Sequence, residues 1–181
     1  MPLFTTLSAV HYSKVLLYTG STPGTLYEDV EILRPYFTGS SYIEVANLRE
    51  LPEFGQQTEV SNFPVFGSKV TYPVFGQASL TPMQFQLNFV PTQFQAGSAL
   101  RTLLDTSRVT AMAIVMLPTK VTNSALIGAN YGTVGHAVYY SWGGLLDLTV
   151  SANRTDAATA NLTWQPVSSW IGPDQIELSD T

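Results

Sequence analysis

Apolar and polar residues alternate with a period of two over much of the chain, a pattern typical of strands with one buried face. The alternation is unbroken over residues 83–89. Gly143 and Gly144 separate two alternating segments by two residues, which predicts a tight hairpin between them. The remaining predicted strands are residues 10–18, 41–46, 57–62, 134–142, 146–152 and 162–165.

Two segments depart from this period. Residues 109–117 are apolar on both faces and predict a fully buried strand; a buried helix is the alternative, although the β-branched residues favour a strand. In residues 96–106, Leu100, Leu103 and Leu104 recur at helical spacing and predict one helix with a core-facing stripe. The chain is therefore expected to be mainly β, an antiparallel β-sandwich or partial barrel flanked by one α-helix.

A near-duplicated pentapeptide interrupts the alternating pattern. Phe63-Pro64-Val65-Phe66-Gly67 is followed by Tyr72-Pro73-Val74-Phe75-Gly76. Proline and glycine disfavour the middle of a sheet, yet both copies are rich in apolar area. We expect an extended arm over about residues 51–81, lying on its own domain or on another subunit. The predicted organisation is one domain over residues 1–167 and a polar, acidic tail over 168–181.

Composition narrows the class of protein. The 181 residues are 45% hydrophobic but only 12% charged, about half the usual charged share of ~25%. Buried intersubunit surface is one explanation of such a composition, because interface cores are depleted in charge. The net charge is −5 and the basic residues are scattered, so tight nucleic-acid binding is not expected. Neither a secretion signal nor a run long enough to span a bilayer is evident.

Catalytic constellations are weak. The chain has no cysteine, and its two histidines, His11 and His136, fall within alternating strand patterns. We therefore expect no metal, no cofactor and no enzyme activity. A hydrolase that uses two facing carboxylates of a β-sandwich stays open as an alternative function. Its candidate residues are Glu44, Glu50, Glu53 and Glu59.

The order of segments resembles the major tail tube proteins of long-tailed, siphovirus-like bacteriophages. The resemblance starts at Tyr42-Ile43-Glu44-Val45-Ala46-Asn47-Leu48-Arg49-Glu50 and continues through the turn Leu51-Pro52-Glu53-Phe54-Gly55. It extends through the alternating strand, the helix around Ala99-Leu100-Arg101-Thr102-Leu103-Leu104 and the apolar strand that follows, covering roughly residues 41–117. The first forty residues carry no motif of that family.

The resemblance implies a structural role. Members form hexameric rings that stack into a tube, a long loop reaches the neighbouring ring, and DNA passes through the lumen without specific binding. Expected partners are further copies of the chain and other tail proteins, such as a tape measure and a tail terminator, with no membrane insertion. The expected location is the virion tail, and the host cytoplasm during assembly. Implied inter-ring contacts are Phe63, Val65, Phe66, Tyr72, Val74 and Phe75, and candidate lumen acids are Glu44 and Glu59.

A binding module is the main alternative. A virion decoration protein, or a carbohydrate- or receptor-binding β-sandwich, would also be charge-poor and rich in strands. It would be a monomer or trimer with an aromatic surface site rather than a polymerising subunit.

Overall fold

A computed structural model of the chain describes residues 12–37, 41–63, 72–117, 136–152 and 157–176. These residues form nine strands, three short helices and one 3-10 helix, Arg34–Phe37. The helices are α1 (Val30–Leu33), α2 (Pro91–Phe94) and α3 (Ala99–Thr106). The strands are β1 (Tyr12–Tyr18), β2 (Tyr42–Glu44), β3 (Gln57–Phe63), β4 (Tyr72–Ser79), β5 (Met83–Asn88), β6 (Thr110–Leu117), β7 (His136–Ser151), β8 (Thr159–Pro166) and β9 (Ile171–Ile176).

Seven strands form one antiparallel sheet in the order β2-β1-β6-β7-β8-β5, with β9 beside the first half of β7. The sheet curls, and its edges approach each other where Leu48, just after β2, forms a bridge with Leu87 of β5. The Asn88 N–H donates to the Asn47 carbonyl at 2.9 Å beside this bridge. The mainly β fold with a flanking helix is confirmed, and the partial barrel is the form observed.

The concave side of the sheet holds the larger core. Alternate residues of β5 and β8 point into it, including Phe85, Leu162 and Trp164, each at most 1% exposed. Helix α3 covers this core with Leu100 and Leu103, as its helical spacing predicts. The Ser98 side chain caps the helix by accepting from the Arg101 N–H at 3.2 Å.

Strand β6 is buried on both faces, which confirms the interpretation of its apolar sequence as a buried strand. Met112 and Ile114 face the concave core, whereas Ala111, Ala113 and Val115 belong to a second cluster on the convex side. The segment with α1 and the 3-10 helix covers that cluster; its residues include Leu33 and Phe37, both fully buried.

The hairpin predicted at Gly143-Gly144 is wrong. Both glycines lie inside β7, a single strand of 16 residues that pairs with β6 and β9 in its first half and with β8 in its second. Gly143 is needed for close approach rather than for a turn. A Cβ atom there would lie 2.4 Å from the Gln165 carbonyl oxygen and 2.6 Å from the Trp164 indole.

The end of the described chain belongs to the main sheet. Within the segment predicted as an acidic tail, β9 pairs with β7. Trp170 packs against the concave core and Ile171 against the convex cluster. Both side chains thus dock on their own domain.

Candidate assembly surfaces

The arm is an antiparallel hairpin of β3 and β4, and it forms a two-stranded sheet of its own. Pairing joins Phe63 with Tyr72 and Val60 with Phe75, with a register shift between Thr58 and Val60. Among the described strands, β3 and β4 pair only with each other. An isolated two-stranded hairpin is at best marginally stable in water, so this arm needs further contacts.

Both faces of the hairpin carry exposed apolar side chains. One face presents Val60 and Phe75, which are 47% and 72% exposed, and the other presents Phe63 and Val74, at 56% and 51%. A sheet with one buried face would alternate in burial, yet every described residue of β3 is exposed. Nothing in the described part of the subunit covers either face.

The base of the arm is fixed to the domain by the turn at Leu51-Pro52-Glu53-Phe54-Gly55. Leu51 and Phe54 pack against the concave core. The Phe54 ring lies 4.9 Å from the Trp170 ring and 5.2 Å from the Tyr139 ring, measured between centroids. Gly55 has a φ of 143°, a backbone conformation that favours glycine and lets the chain leave the core for β3.

The predicted arm contacts fall into two groups. Phe63, Val74 and Phe75 are exposed on the hairpin as described, and the Tyr72 backbone lies opposite Phe63. Val65 and Phe66 lie outside the described residues. All six remain predictions as intersubunit contacts.

The two candidate lumen acids lie on different sheets. Glu44 is in β2, where its carboxylate forms an ion pair with the Lys14 ammonium of β1 at 3.0 Å. Glu59 is exposed in β3, at the register shift of the hairpin. Their role as lumen acids remains a prediction.

A second exposed surface was missed because it depends on strand register. The convex sides of β5, β8 and the second half of β7 align nine polar residues in three rows, called here the polar sheet face. Eight of the nine are uncharged, and all are exposed or half-buried. The rows are Gln84, Thr163 and Asp147; Gln86, Asn161 and Thr149; and Asn88, Thr159 and Ser151.

The alternation that creates this face also explains its composition. Side chains of the same strands on the opposite side, such as Phe85 and Leu162, fill the concave core. The nine aligned convex positions therefore carry only amide, hydroxyl and one carboxylate group, and the exposed Leu146 lies beside them at the register shift of β7. In the sequence, polar residues occupy alternate positions of β5 (Gln84, Gln86, Asn88) and of β8 (Thr159, Asn161, Thr163). Only the strand register shows that these residues align in rows.

One buried polar cluster holds the C-terminal strand. The Arg34 guanidinium donates to both carboxylate oxygens of Asp174, at 2.6 and 3.0 Å, and the Tyr140 hydroxyl donates to the same carboxylate at 3.0 Å. The Asp174 side chain is 4% exposed. The hydrogen bond to Asp174 raises the pKa of Arg34, and burial, reinforced by the Asp174 charge, raises the pKa of Tyr140 well above its ordinary value. The cluster ties the 3-10 helix, β7 and β9 together.

The candidate carboxylates of a hydrolase lie on different parts of the described chain. No three His, Cys, Asp or Glu side chains among them come together as a metal site. Glu50 and Glu53 are exposed near the arm base, whereas Glu44 is paired with Lys14. None of the helices in the described ranges is long and apolar enough to cross a membrane.

Comparison with known proteins adds one finding on the fold. No protein family and no curated protein match the chain. Among solved structures, a chain of the "Cryo-EM structure of the anti-feeding prophage (AFP) baseplate, 6-fold symmetrised" is similar, with a TM-score of 0.55. The similarity covers 97% of this chain and 99% of that chain at 11% sequence identity. It therefore shows a shared fold over nearly the whole length of both chains.

Proposed function

We propose that this chain is a structural subunit of a phage-like tail, which assembles into six-fold rings that stack into a tube for genome delivery. The observation that carries the proposal is the arm hairpin, which exposes apolar side chains on both faces. Exposed apolar patches of this kind mark interaction sites. A subunit that polymerises through the arm would bury both faces between neighbouring copies.

Three further observations support this function. The fold is shared with a chain of an anti-feeding prophage baseplate whose structure is six-fold symmetrised. The chain is only 12% charged, which suits extensive subunit contacts. The net charge of −5 per subunit, repeated through stacked rings, would discourage DNA from binding the tube.

The proposal includes partners and location. The subunit would contact copies of itself, a tape measure and a tail terminator, in the virion tail and, during assembly, in the host cytoplasm. It would act without catalysis or a bound cofactor. DNA would pass through the lumen without specific contacts.

Electron microscopy of the purified protein over a range of concentrations tests the proposal. Six-fold rings stacked into hollow filaments are the expected result. Rings that never stack would support a ring-forming tail component but contradict a tube. A strictly monomeric or trimeric protein that binds glycans would contradict both and favour the binding module.

A further inference from the structure

We infer that the polar sheet face is the wall that this subunit presents to the channel of the proposed tube, where it faces a passing duplex nucleic acid. The inference rests on the proposed function and adds which strands, and which acid, meet the lumen. Its starting point is the bare convex side of β5, β8 and the end of β7.

The composition of the polar sheet face does not suit a protein interface. The energetic centres of protein interfaces are aromatic and aliphatic anchors, with Trp, Tyr and Arg prominent. The nine positions of the face contain no aromatic, no aliphatic and no basic residue, and the single exposed leucine beside them, Leu146, lies at the register shift of β7. Covering them with protein would remove many amide and hydroxyl groups from water with little apolar burial to compensate.

The same composition suits a surface past which a polyanion must slide. Retention of nucleic acid depends on Lys and Arg side chains that neutralise phosphates and release counterions. The face has none, and its single charge is the exposed carboxylate of Asp147. The exposed Arg49 adjoins the face, because its N–H donates to the Gln86 carbonyl at 2.9 Å, and the acidic Glu50 follows it. Over the nine positions, phosphates would thus meet hydroxyls, amides and one carboxylate per subunit, with one basic and one acidic residue at the edge.

The two sides of the curled sheet give the inference a direction. The convex side of β1, β6 and the start of β7 is covered by the segment with α1 and the 3-10 helix. The polar sheet face occupies the opposite end of the strand order, on β8 and β5, and is uncovered by any described element. In the proposed orientation the polar sheet face lines the channel, and α1, with its exposed Glu31, faces the outside of the tube.

Cysteine labelling of assembled tubes tests this orientation, because the natural chain has no cysteine. Thr149→Cys and Gln84→Cys place a thiol at exposed positions of the polar sheet face, and Glu31→Cys places one on α1. Each variant is treated with a small maleimide and with a maleimide on a polymer too large to enter the lumen. The dissociated subunits, in which every site reacts with both reagents, give the reference.

The expected result is that both face variants in tubes react with the small maleimide and lose nearly all reaction with the polymer reagent, while Glu31→Cys reacts with both. Reaction of the face variants with both reagents would mean an outer surface, and reaction with neither would mean a subunit contact; each overturns the inference alone. If neither face variant assembles although the natural chain does, the face is a subunit contact and the inference is likewise overturned. Failure of the natural chain to form tubes overturns the proposed function, and the inference with it.

Discussion

The arm hairpin and the polar sheet face are both exposed antiparallel β surfaces, yet they are built from opposite side chains. The hairpin exposes Val60, Phe63, Val74 and Phe75, whereas the face exposes glutamine, asparagine, threonine and serine around Asp147. Exposure of a β surface therefore has two different consequences in one subunit. Apolar area exposed to water is unfavourable and favours burial against another surface, whereas neutral polar groups are stable when they are hydrated.

Magnitudes separate the two surfaces further. Full burial of a Val or Phe side chain contributes about 1.5–3 kcal/mol, and the hairpin offers at least four that are roughly half exposed or more. The nine positions of the polar sheet face expose no comparable apolar area that assembly could bury. Assembly should consequently depend on the hairpin and be indifferent to the face.

The largest expected effect comes from placing aspartate on each surface. Val74→Asp combined with Phe75→Asp should abolish tube formation, because burying the area that the two side chains still expose, 51% and 72%, contributes about 2–4 kcal/mol, more than tenfold in association, and two carboxylates would be buried in its place. Thr149→Asp, at an exposed strand position on the face, should still assemble. Sedimentation and electron microscopy measure assembly.

A urea unfolding curve provides the control for this comparison. Both variants change exposed side chains, so the free energy of unfolding of the subunit should stay within about 0.5 kcal/mol of the natural chain. Loss of assembly in Thr149→Asp as well would break the distinction between the two surfaces. Unfolding of the hairpin variant would mean that the arm is part of the core.

The second prediction contrasts the two sides of β8. Leu162→Ala opens a cavity in the concave core, where Leu162 is 1% exposed, and should cost about 2–5 kcal/mol of unfolding free energy. Thr163→Ala, one residue along on the polar sheet face, should cost about 0.5 kcal/mol or less. Urea unfolding measures both. A cost for Thr163→Ala close to that of Leu162→Ala would mean that the face is packed rather than bare.

Much of this sheet could be predicted from sequence because one face of each strand is buried. The period of β5 and β8 follows from that asymmetry, and the double burial of β6 follows from its apolar run. The Gly143-Gly144 pair was misjudged, because glycine serves equally for a tight turn and for the close approach of Trp164. Only the neighbouring strand distinguishes the two uses.

The two surfaces also differ in how far they can be predicted from the sequence. The arm was predictable from its local proline, glycine and aromatic content. The alignment of Gln86, Asn161 and Thr149 was not, because these residues are far apart in sequence and meet only through the register of three strands. The pairing of β9 with β7 was beyond reach for the same reason.

The third prediction concerns the stability of the folded subunit at alkaline pH, which limits the pH range over which the two surfaces can be compared. The pKa of Tyr140 is raised in the folded protein, so the stability it contributes is complete below its unfolded value of about 10 and is lost as the pH rises above it. Above this pH, ionisation of Tyr140 in the unfolded chain lowers the free energy of unfolding by up to about 1.4 kcal/mol per pH unit. Tyr140→Phe should make the fall of unfolding free energy above this pH shallower. An unchanged slope, measured by urea unfolding at several alkaline pH values, would contradict the prediction.

The smallest expected effect concerns the single charge on the polar sheet face. In Thr149→Cys, the thiol lies two residues from Asp147 on the same side of β7, a separation of roughly 7 Å. A unit charge at that distance in water contributes about 0.6 kcal/mol, so an anionic maleimide should react up to about threefold more slowly than a neutral one at low salt. Asp147→Asn should remove this difference, and high salt should remove it as well.

Glu44→Gln is the matched control, because it removes one carboxylate from an exposed strand position away from Thr149. The Glu44 charge is already compensated by Lys14 at 3.0 Å. The rate of the anionic maleimide relative to the neutral one at Thr149→Cys should therefore be the same with and without Glu44→Gln. Using the ratio cancels any change in thiol reactivity that affects both reagents. A ratio that responds to Glu44→Gln but not to Asp147→Asn would mean that the field over the polar sheet face has another source, and Asp147 would lose its place as the acid facing the channel.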